Sequence, residues 1–395
     1  MRYLFLLLFV NSLFAQISND IYVSRVSSDS VSIINATTIT TLSVGNSPQA
    51  LAVAPDATKV YVPNLLDDNV SVIDTATNTI IATITVGDEP GAIIVSPDGT
   101  KAYVTNGNAN NVSVIDTASN TVIATISVGN GPSGLNITPD RTQVYVANSG
   151  SNTVSVIDTA SNTVTATINV GTAPNFVAVS PDGSKVYVVN STSNSISVIS
   201  TATNTVTTTI SSVGSNPRDL AFTPDGTTVY LANEGDTFVT LIDATTDTVS
   251  STINIGDPSF DVAITPDGSR AYVTTGNVVF INTSTNTVSN TVVLGNGIFI
   301  AIAPNTISNL RAVQTRIKFP TQTDIVNTLT WNRPATNGAS FNIYRDPALT
   351  NLAGSTTGTI FEDHQRIPGT VNSYFITSVD SFGFESLSGI STIQD

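Results

Sequence analysis

The sequence predicts an all-β chain in which a closed ring of seven four-stranded sheets precedes a smaller β-sandwich. Three observations carry the prediction. Charged residues make up only 11% of the 395, while Ser, Thr, Asn, Val and Ile dominate; abundant β-branched residues with little Lys or Glu favour strands over helices. A string of about 42 residues recurs along most of the chain. The two ends of the repeated region each lack what the other supplies. A chain of this length exceeds what one core usually supports, so a large domain plus a smaller one is the natural division.

The first element is expected to be a cleaved secretory signal, residues 1–15. Arg2 supplies a positive start, Leu4 to Val10 is unbroken apolar sequence, and Ser12-Leu13-Phe14-Ala15 offers a cleavage site before Gln16. The apolar run is too short to span a bilayer. No later stretch is long enough either, so the mature chain is expected to be exported without membrane insertion, into the periplasm or to the cell surface.

The repeat follows, over residues 16–304. Tyr22, Tyr61, Tyr103, Tyr145, Tyr187, Tyr230 and Tyr272 lie 39, 42, 42, 42, 43 and 42 residues apart. Each opens a string such as Tyr103-Val104-Thr105-Asn106. A second string (Val112 to Asp116) and a third ending in Val-Gly (Gly129) follow at fixed distance, and a fourth closes at Pro-Asp (Pro139-Asp140). Alternation of apolar and polar residues, broken by Gly, Pro, Asn and Asp, gives four short strands per repeat. Four strands in this length is one blade of a β-propeller. The chain enters at Ile21-Tyr22-Val23 without a preceding Pro-terminated strand and leaves at Ile298 to Pro304 without a following Tyr-Val strand. Seven blades result if residues 297–304 complete the first, which leaves no terminal blade unpaired.

These strings resemble the YVTN family of β-propeller repeats. Departures are few: Ala57 and Arg141 replace the turn glycine, Ser200 replaces the strand-end aspartate, and the last copy reads Tyr272-Val273-Thr274-Thr275. The resemblance implies an exported or surface protein and a binding scaffold more often than a defined reaction. From Thr306 the repeat stops. Leu329 to Pro334, Phe341 to Asp346 and Tyr374 to Asp380 look like successive strands of a fibronectin type III domain over 305–395, with Trp331 as its core anchor.

Composition excludes several chemistries. A net charge of -15 leaves no clustered basic surface for nucleic acid. Without cysteine there is no disulfide, thiolate zinc site or cysteine nucleophile. The one histidine, His364, lies beside Asp363 outside the repeat, so a histidine base or histidine-held metal is not expected in the ring. No cofactor is implied.

Aspartates that recur in every blade (Asp98 and Asp116, for example) are read as turn residues, and the tyrosines as inter-blade packing. Functional signal is expected where blades differ. Loops joining second to third strands and loops crossing to the next blade share one face, and acids cluster there: Asp67 and Asp68, Asp88 and Glu89, Glu234 and Asp236, and Asp257. Aligned by their closing prolines, the inner strands carry Asp219 and Asp261 where other blades have Ala50, Ala92, Gly134 and Phe176. Both are expected near the mouth of the central channel on adjacent blades, with Arg218 beside one and Arg25 in an equivalent loop. They form a candidate ligand site; capping of loop amides is the alternative role.

The expected function is therefore an exported, non-enzymatic binding or scaffold protein whose loop face meets a protein or glycan partner at the cell envelope or surface. Two alternatives stand beside it. One is a propeller enzyme of the lactonase or lyase kind, using carboxylates with Ca²⁺ or Mg²⁺. The other is a structural surface-layer component, associating through exposed outer strands such as Thr163 to Ile168.

Overall fold

The computed structural model describes residues 21–34, 39–265, 268–292 and 301–302, with the strand segments 308–318, 323–332, 340–344, 352–356, 360–363, 372–379 and 385–393. The expected signal segment, His364, and residues 297–300 and 303–304 of the expected closing span lie outside the described residues. The strands fall into two compact units, one holding Ile21–Ile33 and Ile39–Ile302, the other Ala303–Asp395.

Seven four-stranded antiparallel sheets make up the first unit. Blade 3 shows the pattern. Its inner strand Pro90–Val95 pairs with a second strand Lys101–Asn106, followed by a third, Asn111–Asp116, and an outer strand, Thr121–Ser127. Alternation decides the layers: Val112 and Val114 are fully buried, whereas the outer strand keeps alternate side chains in solvent and buries Ile126. Blades 2, 4 and 5 run from Ala52 to Thr85, Pro132 to Asn169 and Pro174 to Ser211; blade 6 comprises Pro217–Phe222, Thr228–Asn233, Phe238–Asp243 and Thr248–Asn254; blade 7 comprises Asp261–Ile264, Arg270–Thr274, Val278–Asn282 and Thr287–Val292. In blade 1 the short strand Ala301–Ile302 lies beside Ile21–Arg25, with Tyr22 opposite Ala301.

The hydroxyls of Tyr22, Tyr145, Tyr187 and Tyr230 tie their blades to the next, while those of Tyr61 and Tyr103 are buried without a partner. Tyr22, Tyr61, Tyr103, Tyr145 and Tyr187 are fully buried. The Tyr22 hydroxyl donates to Asn78 Oδ1 of blade 2 at 3.0 Å, and the Tyr145 hydroxyl to Asn204 Oδ1 of blade 5 at 2.6 Å. Tyr187 and Tyr230 reach Asp247 and Asn286 in the same way. A large apolar ring with one polar tip suits this position, because the tip meets an acceptor held by the neighbouring turn.

Repeated aspartates serve turns, as the sequence suggests. Asp116 Oδ1 accepts the Ser119 amide at 2.8 Å and its hydroxyl at 2.7 Å, and Asp74 does the same with Thr77. The hydroxyl and amide donors hold both carboxyls below their ordinary range. Asp98 accepts the Thr100 amide at 3.1 Å. Positive φ is needed at the turn's end, where Gly99 has φ 72; Ala57 (φ 53) and Arg141 (φ 66) adopt the same conformation without being glycine. Arg141 there gains an ion pair to Asp98 at 2.8 Å.

The second unit contains two antiparallel sheets. Ser308–Lys318, Thr323–Asn332 and Ile360–Asp363 form one; Leu352–Thr356, Ser340–Tyr344, Asn372–Val379 and Glu385–Ile393 form the other. Among the described residues no helix is long and apolar enough to cross a membrane.

Candidate functional site

Asp219 and Asp261 are brought together by the inner strands of blades 6 and 7. The register in blade 6 shifts between Pro217 and Asp219. Such a bulge re-aims side chains, and here Arg218 turns towards the loop Glu234 while Asp219 is buried. Blade 7 reaches its aspartate differently. Prolines 48, 90, 132, 174 and 217 stand at or before the start of the inner strands of blades 2 to 6, but blade 7 has Ser259 at that position. Ser259 is fully buried, and its hydroxyl accepts the Asn233 amide at 2.8 Å. That bond hangs the start of blade 7 on the second strand of blade 6.

The two carboxyls do not line an open mouth: Asp219 is 3% exposed and Asp261 2%. Asp219 Oδ2 accepts the Val262 amide at 3.0 Å, which bridges the blades. The side chains are within hydrogen-bonding reach of each other. Otherwise Asp219 Oδ1 and both Asp261 oxygens meet no donor in hydrogen-bonding geometry. Thr274, directly across the sheet from Asp261, also buries a hydroxyl with no partner. Two carboxylates can only accept, so a proton on one is what lets them bond. Burial raises both pKa values. Asp261 is pushed up to about 6, and Asp219 goes well above its ordinary range because the Asp261 charge adds to burial.

Arg218 is not part of this bond. Its Nε lies 3.2 Å from Glu234 Oε2, which also accepts Asn216 Nδ2 at 2.7 Å. Burial pulls the Arg218 pKa down against the opposing charges of Glu234 and Asp219. The other acids belong to a second arrangement, at the loop edge of the blades. Residues there act as stitches between neighbouring loops. Asp68, Asn110, Asn152 and Asn194 have φ between 51 and 56, and each accepts the amide of the next crossing loop: Glu89, Gly131, Ala173 and Asn216. A second stitch runs to the preceding crossing loop. Asp67 accepts the Asn46 amide at 2.7 Å, Ser151 the Asn130 amide at 3.1 Å, Ser193 the Thr172 amide at 3.0 Å, and Asp236 the Ser215 amide.

Asp67, Asp68 and Asp236 thus hold positions that Ser and Asn hold elsewhere. Asp88 is exposed and accepts Asn108 Nδ2 at 2.8 Å; Asp257 is exposed; Glu89 is half-buried. Arg25 is half-buried and opens the single-turn 3-10 segment Val26–Ser28 of blade 1, on the same loop edge. Sequence reasoning missed Ser259 and Thr274. The loss of proline at 259 was a readable signal, whereas Thr274 needed the strand register. Among the described residues no group of three or more Asp, Glu or His side chains is placed to hold a metal ion.

Two family models match parts of the chain. One, described as a seven-bladed β-propeller lactonase, covers residues 163–255; the other, a YNCE-like β-propeller, covers residues 86–183. No curated protein matches. Among solved structures, hydrazine synthase of Kuenenia stuttgartiensis is similar at 23% identity and a TM-score of 0.58, covering 64% of this chain and 94% of that one. A functionally unknown protein from Desulfotomaculum acetoxidans DSM 771 is similar at 19% identity and a TM-score of 0.64, covering 73% of this chain and all of that one. At these identities the likeness is one of fold. The repeated region of this chain is a seven-bladed β-propeller.

Proposed function

We propose that the chain is an exported, non-enzymatic binding or scaffold protein whose propeller loop face recognises a protein or glycan partner at the cell envelope. One observation carries the reading: the loops of that face are stitched to each other at repeated positions, and the residues held between stitches differ from blade to blade. Blade 2 presents Leu66, 67% exposed, next to Asp67. Exposed Asp88 and Asp257 and half-buried Glu89 give the face an acidic character. A frame that is ordered before binding loses little conformational entropy on association. The same reading takes residues 1–15 as a signal segment, the repeats as YVTN-like, residues 297–304 as the span that closes the ring, and 305–395 as a fibronectin type III-like spacer or second contact.

Capture on the immobilised mature chain tests it. Envelope and target-surface extracts are passed over the wild type and over Asp88→Asn/Glu89→Gln/Asp257→Asn. Of these side chains only Asp88 holds a loop bond, from Asn108 Nδ2 at 2.8 Å, and the amide oxygen of the Asn replacement can still accept it, so the variant is expected to fold and to lose a partner that the wild type retains. Equal retention by both proteins would remove the loop face from the reading.

A second reading rests on the coupled carboxyls and the partial match to lactonase propellers. A raised carboxylic acid beside an ionised one is a pair suited to general acid–base work. It predicts hydrolysis of simple lactones, with or without Ca²⁺ or Mg²⁺, that disappears in Asp219→Asn/Asp261→Asn. Absence of turnover across lactone ring sizes sinks it.

A further inference from the structure

The fold carries its own cation sites at the edge opposite the stitched loops, and the junction of blades 6 and 7 lacks the cations. Two residues before the blade tyrosine, blades 2, 3 and 5 have a lysine that reaches the next blade. Lys59 Nζ donates to the Thr117 carbonyl at 2.6 Å, Lys101 Nζ to the Thr159 carbonyl at 2.8 Å, and Lys185 Nζ to the Ala244 carbonyl at 2.9 Å. Lys59 also lies 3.4 Å from Asn120 Oδ1, and Lys185 lies 2.9 Å from Asp247. In blade 6 that position is Thr228, whose side chain is too short to cross.

The acceptors remain. Thr283 and Asn286 in blade 7 stand where Thr117 and Asn120, or Ala244 and Asp247, stand elsewhere. They line a cleft of about 330 Å³ together with Thr228, Tyr230 and Asp225. Asp225 supplies the charge. Its three hydrogen bonds, from the Thr223 hydroxyl and the Thr227 amide and hydroxyl, all reach Oδ1. In the equivalent aspartate, Asp98, Oδ2 binds the Arg141 guanidinium at 2.8 Å. The position of Arg141 is Gly268 at this junction. The position of the bridging lysines and the position of Arg141 are therefore both empty of side-chain charge here, and a carboxylate, a carbonyl and a tyrosine-bonded amide line the space.

We propose that the cleft between blades 6 and 7 binds a primary alkylammonium group, either a small amine or the lysine side chain of a partner. The site is on the opposite edge of the blades from the proposed recognition face and stands independently of it. An ammonium with three N–H donors fits acceptors that already bind Nζ in three other blades; a quaternary ammonium has none to give.

The test uses the full mature chain and measures binding of n-butylammonium chloride by calorimetry and by thermal shift. Affinity for so small a ligand is expected on the order of millimolar, with no binding of tetramethylammonium at matched ionic strength. In Thr228→Lys the new Nζ occupies the space, so the melting temperature rises and n-butylammonium binding is lost. Asp225→Asn is expected to weaken binding by up to about fivefold, as an exposed ion pair allows. Equal responses to butylammonium and tetramethylammonium, or undiminished binding in both variants, overturn the proposal. An acetylated, amidated Gly-Lys-Gly peptide separates the sources: tighter binding than butylammonium assigns a partner's lysine, and weaker binding assigns a small amine.

Discussion

From about pH 5 to about pH 8 the propeller is expected to lose stability, about 1.5 kcal/mol of it through Asp261 and more through Asp219, and Asp219→Asn/Asp261→Asn is expected to abolish most of that loss. The sign follows from the direction of the shifts. Both carboxyls titrate higher in the folded chain than in the unfolded one, where they are ordinary aspartates. Between the two values the folded state binds more protons, so stability is full below the unfolded pKa and falls as pH rises through the folded one. Moving Asp261 to about 6 corresponds to about 3 kcal/mol across its whole titration, roughly half of it above pH 5; Asp219, raised further, adds to the upper part of the range.

The turn aspartates have the opposite sign. Asp74 and Asp116 are held below their ordinary values, so their contribution is present above the unfolded pKa and lost in stronger acid. The two classes together place maximal stability between about pH 4 and 5. The sequence makes the experiment clean, because it has one histidine and no cysteine. Thermal melts across this range, with His364→Gln as control, read the pair almost alone. A flat profile in the wild type, or an undiminished slope in the double variant, means the carboxyls do not share a buried proton.

Much of the ring was legible because each blade repeats the same physical solution. The tyrosines announced the second strands, the Pro-Asp turns marked where inner strands end, and recurring aspartates were readable as turn residues. Aligning the inner strands on their prolines was enough to single out Asp219 and Asp261 and to put them on neighbouring blades. Burial was not legible. Alignment gives a residue's place along a strand; that Ala50, Ala92 and Phe176 are buried at the same place, as the two carboxyls are, shows only once the blades are packed together. The loop acids were found for a related reason and with a similar limit. Asp67, Asp68 and Asp236 differ from the Ser and Asn of other blades in charge, yet they accept the same amides, and only the hydrogen-bond partners reveal that. The vacant ammonium position needed the reverse step. Thr228 is unremarkable in sequence until Lys59, Lys101 and Lys185 are seen bridging to the next blade.

Gly87→Ala is expected to destabilise the propeller by about 3 kcal/mol, the upper end for forcing one carbon into a packed site. A Cβ at Gly87 would stand 2.7 Å from Asn106 Cγ and 2.8 Å from its Cβ and Nδ2. Asn106 is fully buried at the end of its strand, and Nδ2 donates to Asn111 Oδ1 at 2.6 Å and to Ser113 Oγ at 2.9 Å. It cannot swing away without breaking both bonds, and the backbone at Gly87 belongs to a crossing loop whose neighbouring residues are stitched on either side. The contact recurs at Gly45, Gly129, Gly171 and Gly214, each against the asparagine that ends the blade's second strand. That recurrence is why the Val-Gly string repeats: the crossing loop rests its glycine on the asparagine amide. Gly91 is the control. It lies in the next inner strand, and the nearest atom to its Cβ would be Thr105 Oγ1 at 3.8 Å, so Gly91→Ala should stay within about 0.5 kcal/mol of the wild type. Denaturant melts of Gly87→Ala, Asn106→Ala and the double variant complete the test. Removing the amide relieves the Cγ and Nδ2 contacts and leaves the one to Asn106 Cβ at 2.8 Å, so the double variant should be less destabilised than the sum of the singles by about 1 kcal/mol. Strict additivity, or a neutral Gly87→Ala, would mean that the loop yields and that the glycine is kept for some reason other than close approach.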